Sequence, residues 1–395
     1  MLNFKYIIHI VCYSCKYIKK LKYGYNKSEL ILPFNLFHIL LQTKPIIMKQ
    51  KKNRRYVYGA AACLVAIIAL AGLYFFTPFN NQDDTYYIYI DRDDTMDSIY
   101  HKLEPIASSH ALHAMNTLMR HGSYKDHVRT GRYAIRPGET TFTIFRRIKN
   151  GLQEPVNLTI PSVRTLDRLA AEVSKRLMMD STELYKALTD NKICAKYGYD
   201  TATIAAMFIP NTYDIYWNTT VDNFLDRMKK ENGKFWNAER RQKAKAMNLT
   251  PIEVTTLASI IDEETANNAE KPMVAGMYYN RLMLRDNEYP QGMPLQADPT
   301  IKFAWKDFGL RRIYHKLLTI DSPYNTYKYP GLPPGPIRIP SIAGIDAVLN
   351  HEKHNYLYMC AKEDFSGTHN FARTYQEHLR NAARYAKALN ERGIK

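Results

Sequence analysis

The run from Tyr56 to Phe76 contains no charged residue and is mostly apolar, and no other stretch limits the fold of this chain so sharply. At a rise of 1.5 Å per residue it is long enough to cross a hydrocarbon core of about 30 Å. We therefore expect a single transmembrane helix over 56–76. Lys49, Lys51, Lys52, Arg54 and Arg55 precede it, and Asp83, Asp84, Asp91, Asp93 and Asp94 follow. The positive-inside rule then leaves the N-terminus in the cytoplasm and puts everything after Phe76 outside the membrane. A cleaved signal peptide is the alternative, although Tyr74-Phe75-Phe76 lacks the small residues of a cleavage site.

The formal charge of the 395 residues is +17. Up to Arg55 there are twelve Lys and Arg against the single acid Glu29, so +11 lies there and +6 is left for the rest. A mildly basic body gives no footprint for nucleic acid, which calls for a basic stripe on a folded domain. The leader 1–47 is rich in Tyr, Lys and Ile and precedes Met48, which opens the compact basic segment 48–55. Met48 is read as the true start. Cys12-x-x-Cys15 falls in that leader and is read as incidental. Beyond the span only Cys194 and Cys360 occur, as two isolated thiols or one pair, which is no disulfide framework.

After a short polar linker, Tyr86–Ile90 reads as a strand, Asp94 as the cap of a following helix, and 107–120 as a second helix. A strand and turn over 131–138 and a helix over 141–149, closed by Gly151, complete a small α+β module. This module, 77–155, resembles a LysM-like unit, with a plain spacer as the alternative. Farther on, a strand at 156–160 and an amphipathic helix from Leu166 are followed by an irregular polar stretch. A long charged helical segment then runs over 221–247.

Thr250-Pro251-Ile252-Glu253 is a helix start, with a hydroxyl at the N-cap, proline at the first helical position and glutamate at the third. The helix is predicted to run from Pro251 towards Ala269. At about 100° per residue, Glu264 falls among Val254, Leu257, Ile260 and Ile261, while Asp262 falls opposite and Glu263 to one side. Glu264 alone is expected to face the interior. Desolvation raises a carboxyl's pKa and keeps it protonated, as a general acid requires. The competing reading is an acid at a helix end bonded to a buried partner. Downstream, residues 295–300, 322–327 and 331–337 are dense in Pro, Gly, amides and phenols, the makings of stiff loops around a sugar groove.

Leu257-Ala258-Ser259-Ile260-Ile261-Asp262-Glu263-Glu264-Thr265, Asn280-Arg281-Leu282, Leu295-Gln296-Ala297-Asp298-Pro299-Thr300, Ser322-Pro323-Tyr324-Asn325-Thr326-Tyr327, Gly331-Leu332-Pro333-Pro334-Gly335-Pro336-Ile337 and the late Tyr356-Leu357-Tyr358 and His369-Asn370-Phe371 follow one another in a family order. From about Ile88 onward the chain resembles the YceG-like endolytic transglycosylases. The resemblance implies an α+β fold with 156–395 as a larger mixed α/β catalytic domain. It also implies a single-pass enzyme of the inner membrane that cuts peptidoglycan glycan strands internally and leaves 1,6-anhydro-MurNAc ends.

By this resemblance Glu264 is the catalytic acid. We expect Gln296, Asp298, Asn325 and Tyr327 to orient the glycan, with Asp298 either touching sugar or bracing its loop. Peptidoglycan synthases are the implied partners, and no cofactor or metal is implied. Two positions depart from the family pattern: Asp262 replaces a glutamate, on the side expected to face outward, and Asn211 stands where relatives carry aspartate. Two rivals are a non-catalytic wall-binding scaffold and a metal-dependent amidase using His351, His354 and His369. The latter spacing matches no strong zinc signature.

Overall fold

The computed structural model describes residues 51–80, 82–122, 124, 128–310 and 312–393. The expected leader 1–47 with Cys12 and Cys15, and the start proposed at Met48, lie outside them. The chain divides into two compact units, one ending at Glu154 and the other beginning at Pro155. Helices and short sheets are mixed in both, and every strand pair among the described residues is two-stranded and antiparallel.

The first unit opens with helix α1 (Lys51–Phe76), whose stretch Tyr56–Phe76 has a mean hydropathy of 2.3. Among the described residues it is the one helix long and apolar enough to cross a membrane. The polar linker expected after it is shorter than the sequence suggests. Phe79 is fully buried and its N–H donates to Glu139 O at 2.8 Å, while Thr141 N–H donates to Thr77 O at 3.4 Å. The module proper then runs β1 (Tyr86–Ile90), α2 (Met96–Leu103), α3 (Ser109–His121), β2 (Gly131–Ile135) and α4 (Thr141–Asn150). Ile88 lies opposite Tyr133 and Ile90 opposite Gly131. The alternation of β1 sends Ile88 and Ile90 into a core with Ile99, Leu103, Met115, Met119 and Ile144. Thr95, not Asp94, caps α2: its hydroxyl accepts from Ser98 N–H and its own N–H donates to Ser98 Oγ. Asp94 instead forms an ion pair with Lys102 at 2.5 Å. Gly151, at φ 67°, closes α4 as expected.

The second unit has two apolar clusters. β3 (Val156–Thr159) pairs with β4 (Thr212–Ile215) and shares the first cluster with α5 (Leu166–Ser174), α6 (Ser181–Leu188) and α8 (Val221–Phe235). The stretch expected to be irregular holds α6 and the short α7 (Asn191–Lys196), each started by an aspartate, Asp180 and Asp190, that accepts two backbone N–H groups. The expected helical segment 221–247 is broken. Trp236 turns inward at the end of α8, and Asn237 caps a separate α9 (Ala238–Ala246).

The second cluster surrounds α10 (Pro251–Glu264), packed by α11 (Lys271–Met283), α12 (Asp298–Trp305) and α13 (Ile342–Leu349). The hairpin β5 (Tyr358–Ala361) and β6 (His369–Ala372) and the helix α14 (Tyr375–Glu391) complete the unit. Every residue of α10 from Val254 to Ile261 is buried, so the helix has no solvent face over that length. It stops at Glu264 instead of continuing to Ala269. Thr265 turns extended at φ −142°, its hydroxyl donates to Glu270 Oε2 and accepts from Asn267 N–H, and these local bonds end the helix.

Candidate active site

The start of α10 behaves as the sequence predicts. Thr250 Oγ1 accepts from Glu253 N–H at 3.2 Å, and Glu253 Oε2 accepts from Thr250 N–H at 2.7 Å. Its other end poses an electrostatic problem. Three consecutive acids sit at a helix C-terminus, where the unpaired carbonyls already carry partial negative charge. Two of the three are neutralised. Asp262 is 4% exposed, pairs with Lys271 Nζ at 2.7 Å and accepts from Ser341 N–H and Oγ. Glu263 is held bidentately by Arg164, both contacts at 2.8 Å, and by Arg338 Nη1 at 2.9 Å.

The expectation that Asp262 faces outward is therefore corrected. A one-sided stripe does not apply to a helix enclosed by α11, α12 and α13, and the expectation that Glu264 alone faces the interior falls with it: the side chains of Asp262 and Glu263 are only 4% and 9% exposed. Gly344 of α13 explains how Asp262 fits: a Cβ there would stand 2.5 Å from Asp262 Oδ1.

Glu264 has no such cation. It is half-buried, and Tyr278 O–H of α11 donates to its Oε1 at 2.7 Å. Burial pushes its pKa from 4.5 up to about 7, with the charge of Asp298 adding to the rise; the Tyr278 hydrogen bond and the charges of Arg281 and Lys302 oppose it. The carboxyl thus holds its proton to a higher pH than an ordinary glutamate does. Burial raises the Tyr278 phenol well above its ordinary value, so it keeps its proton and donates. When the carboxyl is protonated, Oε1 accepts from Tyr278 and Oε2 carries the proton.

Arg281 is buried and pinned by carbonyls, its Nε donating to Leu357 O at 2.5 Å and its Nη1 to Leu295 O at 2.8 Å. The same Nη1 reaches Gln296 Oε1 at 3.4 Å. Gln296 itself is exposed, held at φ 51° with its N–H on Thr326 O. Asp298 is exposed at the first turn of α12 and accepts from Tyr327 O–H at 2.5 Å. Burial and that carboxylate both raise the Tyr327 phenol. The charge of Asp298 acts on Glu264, and the charge of Glu264 acts in turn on the Tyr327 phenol, so these two candidates share its surroundings.

Asn325 is the candidate whose polar atoms are committed within its own loop. It is fully buried, its amide donates to Leu318 O and Ile320 O, and its Oδ1 accepts from Tyr327 N–H at 3.0 Å. Its geometry is that of a brace for Tyr327. Thr326 Oγ1 accepts from Ala297 N–H and meets Thr300 Oγ1 at 2.8 Å, which bolts the two candidate loops together. The proline-rich loop docks on α10 through Ile337 N–H to Ser259 Oγ at 3.0 Å. A cavity of about 520 Å³ between the loops is lined by Asp321, Pro323, Tyr329, Leu332 and Pro334, and Glu264 is not in its lining.

The three histidines do not converge. His354 Nε2 lies 2.9 Å from Met273 O and its Nδ1 accepts from Tyr356 N–H; His351 Nδ1 faces Val348 O; His369 Nδ1 faces Glu270 Oε2 at 3.0 Å. No group of three potential metal ligands occurs among the described residues. Cys194 and Cys360 are both free thiols. Asn211 Oδ1 accepts from the adjacent Thr212 N–H at the start of β4. Tyr278 carries no signal of its own in the sequence, since it reads as one more buried position of an amphipathic helix, whereas Arg281 stands in the Asn280-Arg281-Leu282 motif without an assigned role. Asn280 holds that helix to the chain before β5 by donating to His354 O and Tyr356 O.

Fold and site together define a helical domain with small antiparallel sheets, organised around one proton-holding carboxyl in a wall of braced loops. Residues 88–384 match the YceG-like family, and the chain belongs to it. It is similar to the endolytic murein transglycosylase of Bacillus subtilis, 34% identical over 178 residues that make up 44% of this chain and 46% of that protein. It is also similar to the endolytic murein transglycosylase of Streptococcus pneumoniae D39, 30% identical over 314 residues, 69% of this chain and 55% of that protein. The chain spans about half the length of the curated relatives it matches. A solved putative YceG-like protein from Listeria monocytogenes is 25% identical, with a TM-score of 0.48 over 76% of this chain and 99% of that chain.

Proposed function

We propose that this protein is an endolytic peptidoglycan transglycosylase with Glu264 as its one catalytic carboxyl. The observation that carries the reading is the uneven treatment of three adjacent acids: Asp262 and Glu263 are neutralised by cations, while Glu264 receives a phenol and a pKa of about 7. A group so poised can give a proton and take one back at neutral pH. Glu264 protonates the bridging oxygen of the MurNAc–GlcNAc bond as that bond breaks. The resulting carboxylate then accepts the proton of the sugar's C6 hydroxyl as its oxygen closes onto C1. The nucleophile belongs to the substrate, so effective molarity takes the place of an activated water and a second carboxylate. Gln296, Asp298 and Tyr327 orient the glycan, and Asn325 holds Tyr327 in place. The names of the relatives support this substrate class.

In this reading α1 crosses the cytoplasmic membrane once, with the basic segment inside and residues 77–395 outside among the glycan strands, near the synthases that make them. Residues 77–155 serve as a LysM-like module, a role supported by the strand, helix, helix, strand order with an antiparallel pair. Digestion of purified peptidoglycan with wild type and Glu264→Gln tests the assignment. Mass spectrometry should find anhydro-ended fragments from wild type alone. Equal product from the two would remove Glu264 from the chemistry, and no product from either would leave the scaffold reading.

A further inference from the structure

The end of α1 is not free of the first unit. Side chains from Tyr56 to Leu70 are exposed, whereas Ala71, Gly72, Tyr74 and Phe75 are partly covered, and the helix contacts both α3 and α4. Tyr74 meets the His110 ring edge-on at 5.0 Å, and Phe76 packs on Phe142 at 5.3 Å. Beyond Phe76 there is no slack. Pro78 bridges to Thr140, and Phe79 is buried in the module's core. The apolar run of 21 residues is about 31 Å long at 1.5 Å per residue, which only just spans a core of about 30 Å. Ala71 lies five residues before the end, about 7.5 Å along the axis. The polar layer on each side of a bilayer is roughly 5–7 Å deep. Residues 71–75 thus lie at the outer edge of the hydrocarbon core, and whatever covers them is drawn to the boundary between acyl chains and headgroups, deeper still if the span tilts.

We propose that the starts of α3 and α4 rest in the phospholipid headgroup layer, with Phe142 at its apolar edge and Arg146 reaching the phosphates. The chemistry of the face fits this occupant. Phe142 is half-buried, Arg146 is exposed one turn later with its guanidinium 5.9 Å from the Phe142 ring, and His110 and His113 are exposed on α3. An aromatic ring with a cation above it is an arrangement suited to the interface, where the ring meets acyl chains and the charge meets phosphate. The module would then stand on the membrane as a footing of the span.

This inference rests on the reading of α1 as a membrane span, and the test separates the two. All three tryptophans of the chain, Trp217, Trp236 and Trp305, lie in the second unit, so a tryptophan placed in the first unit is read as added emission over wild type. Full-length Phe142→Trp and, independently, His113→Trp are reconstituted in phosphatidylethanolamine–phosphatidylglycerol vesicles whose chains carry bromine near the headgroup or near the chain ends. Ile67→Trp serves as the deep reference. Bromine near the headgroup should remove more of the emission added at 142 and 113 than bromine near the chain ends, with the reverse order at 67. If the protein fails to float with the vesicles, the span reading and this inference both fall. If it floats, position 67 is quenched and neither 142 nor 113 is, the span stands and the footing is overturned.

Discussion

Glu264 owes its raised pKa to what is withheld from it. Its neighbours Asp262 and Glu263 meet a lysine and paired arginines, and no such ion pair forms at Glu264. Burial without a cation keeps it near pH 7, and its stability consequence has a definite sign. The native state holds a proton that the unfolded chain, with an ordinary pKa of 4.5, releases. The stabilising effect of that difference is complete below pH 4.5 and is lost as pH rises through about 7. Glu264→Gln keeps an oxygen for Tyr278 and cannot ionise. It should melt with wild type near pH 4.5 and be more stable at pH 8, by about 2 kcal/mol once partial exposure is allowed for. Thermal melts of both proteins across that range check it, and a constant difference would contradict the protonation assigned here. Tyr278→Phe probes the same carboxyl from the other side. Removing a donor from the charged form raises the acid's pKa, so the alkaline limb of the rate profile should move up by about one unit while the rate at pH 7 falls about tenfold. A slower enzyme with an unmoved limb would make Tyr278 a packing residue only.

At the scale of elements, the end of α10 is a crossing where α11 and α13 supply what the helix lacks. Lys271 from α11 neutralises Asp262, and Gly344 of α13 makes room for it. Lys271→Met would leave a buried carboxylate unpaired, which costs about 3–5 kcal/mol. Gly344→Ala would place a methyl 2.5 Å from Asp262 Oδ1 and should cost about 1–3 kcal/mol. In an Asp262→Ala background the Gly344→Ala penalty should largely vanish, a coupling that a double-mutant cycle by denaturant unfolding measures directly. These partners also mark what could be read from the sequence. The capping box at Thr250, the glycine closing α4 and the strand at Tyr86 are set by local rules and are legible. The direction of Asp262 was not, because periodicity assigns one buried stripe and α10 is buried on all sides. Nor could Arg164 and Arg338 be matched to Glu263, since they come from segments 99 and 75 residues away. The start of α12 could have been found: Asp298-Pro299 is a helix opening by the same proline rule used at Pro251.

For the whole molecule, the division at Glu154 means two cores with no shared cluster. The first unit closes around Ile88, Ile90, Ile99 and Tyr133, and the second around α10 and around the β3–β4 pair. Each is large enough to unfold cooperatively by itself, and a chain of two such units is not expected to melt as one two-state system. Calorimetry of the full chain in detergent should therefore resolve two transitions. Ile90→Ala, at a fully buried position of the first core, removes about 2–5 kcal/mol of packing and should lower one transition alone. Leu257→Ala, fully buried within α10, should lower the other and carry the loss of activity with it, because it loosens the helix that aims Glu264. If either substitution shifts both transitions together, the two units are coupled in folding, and the chain behaves as one cooperative body despite its separate cores.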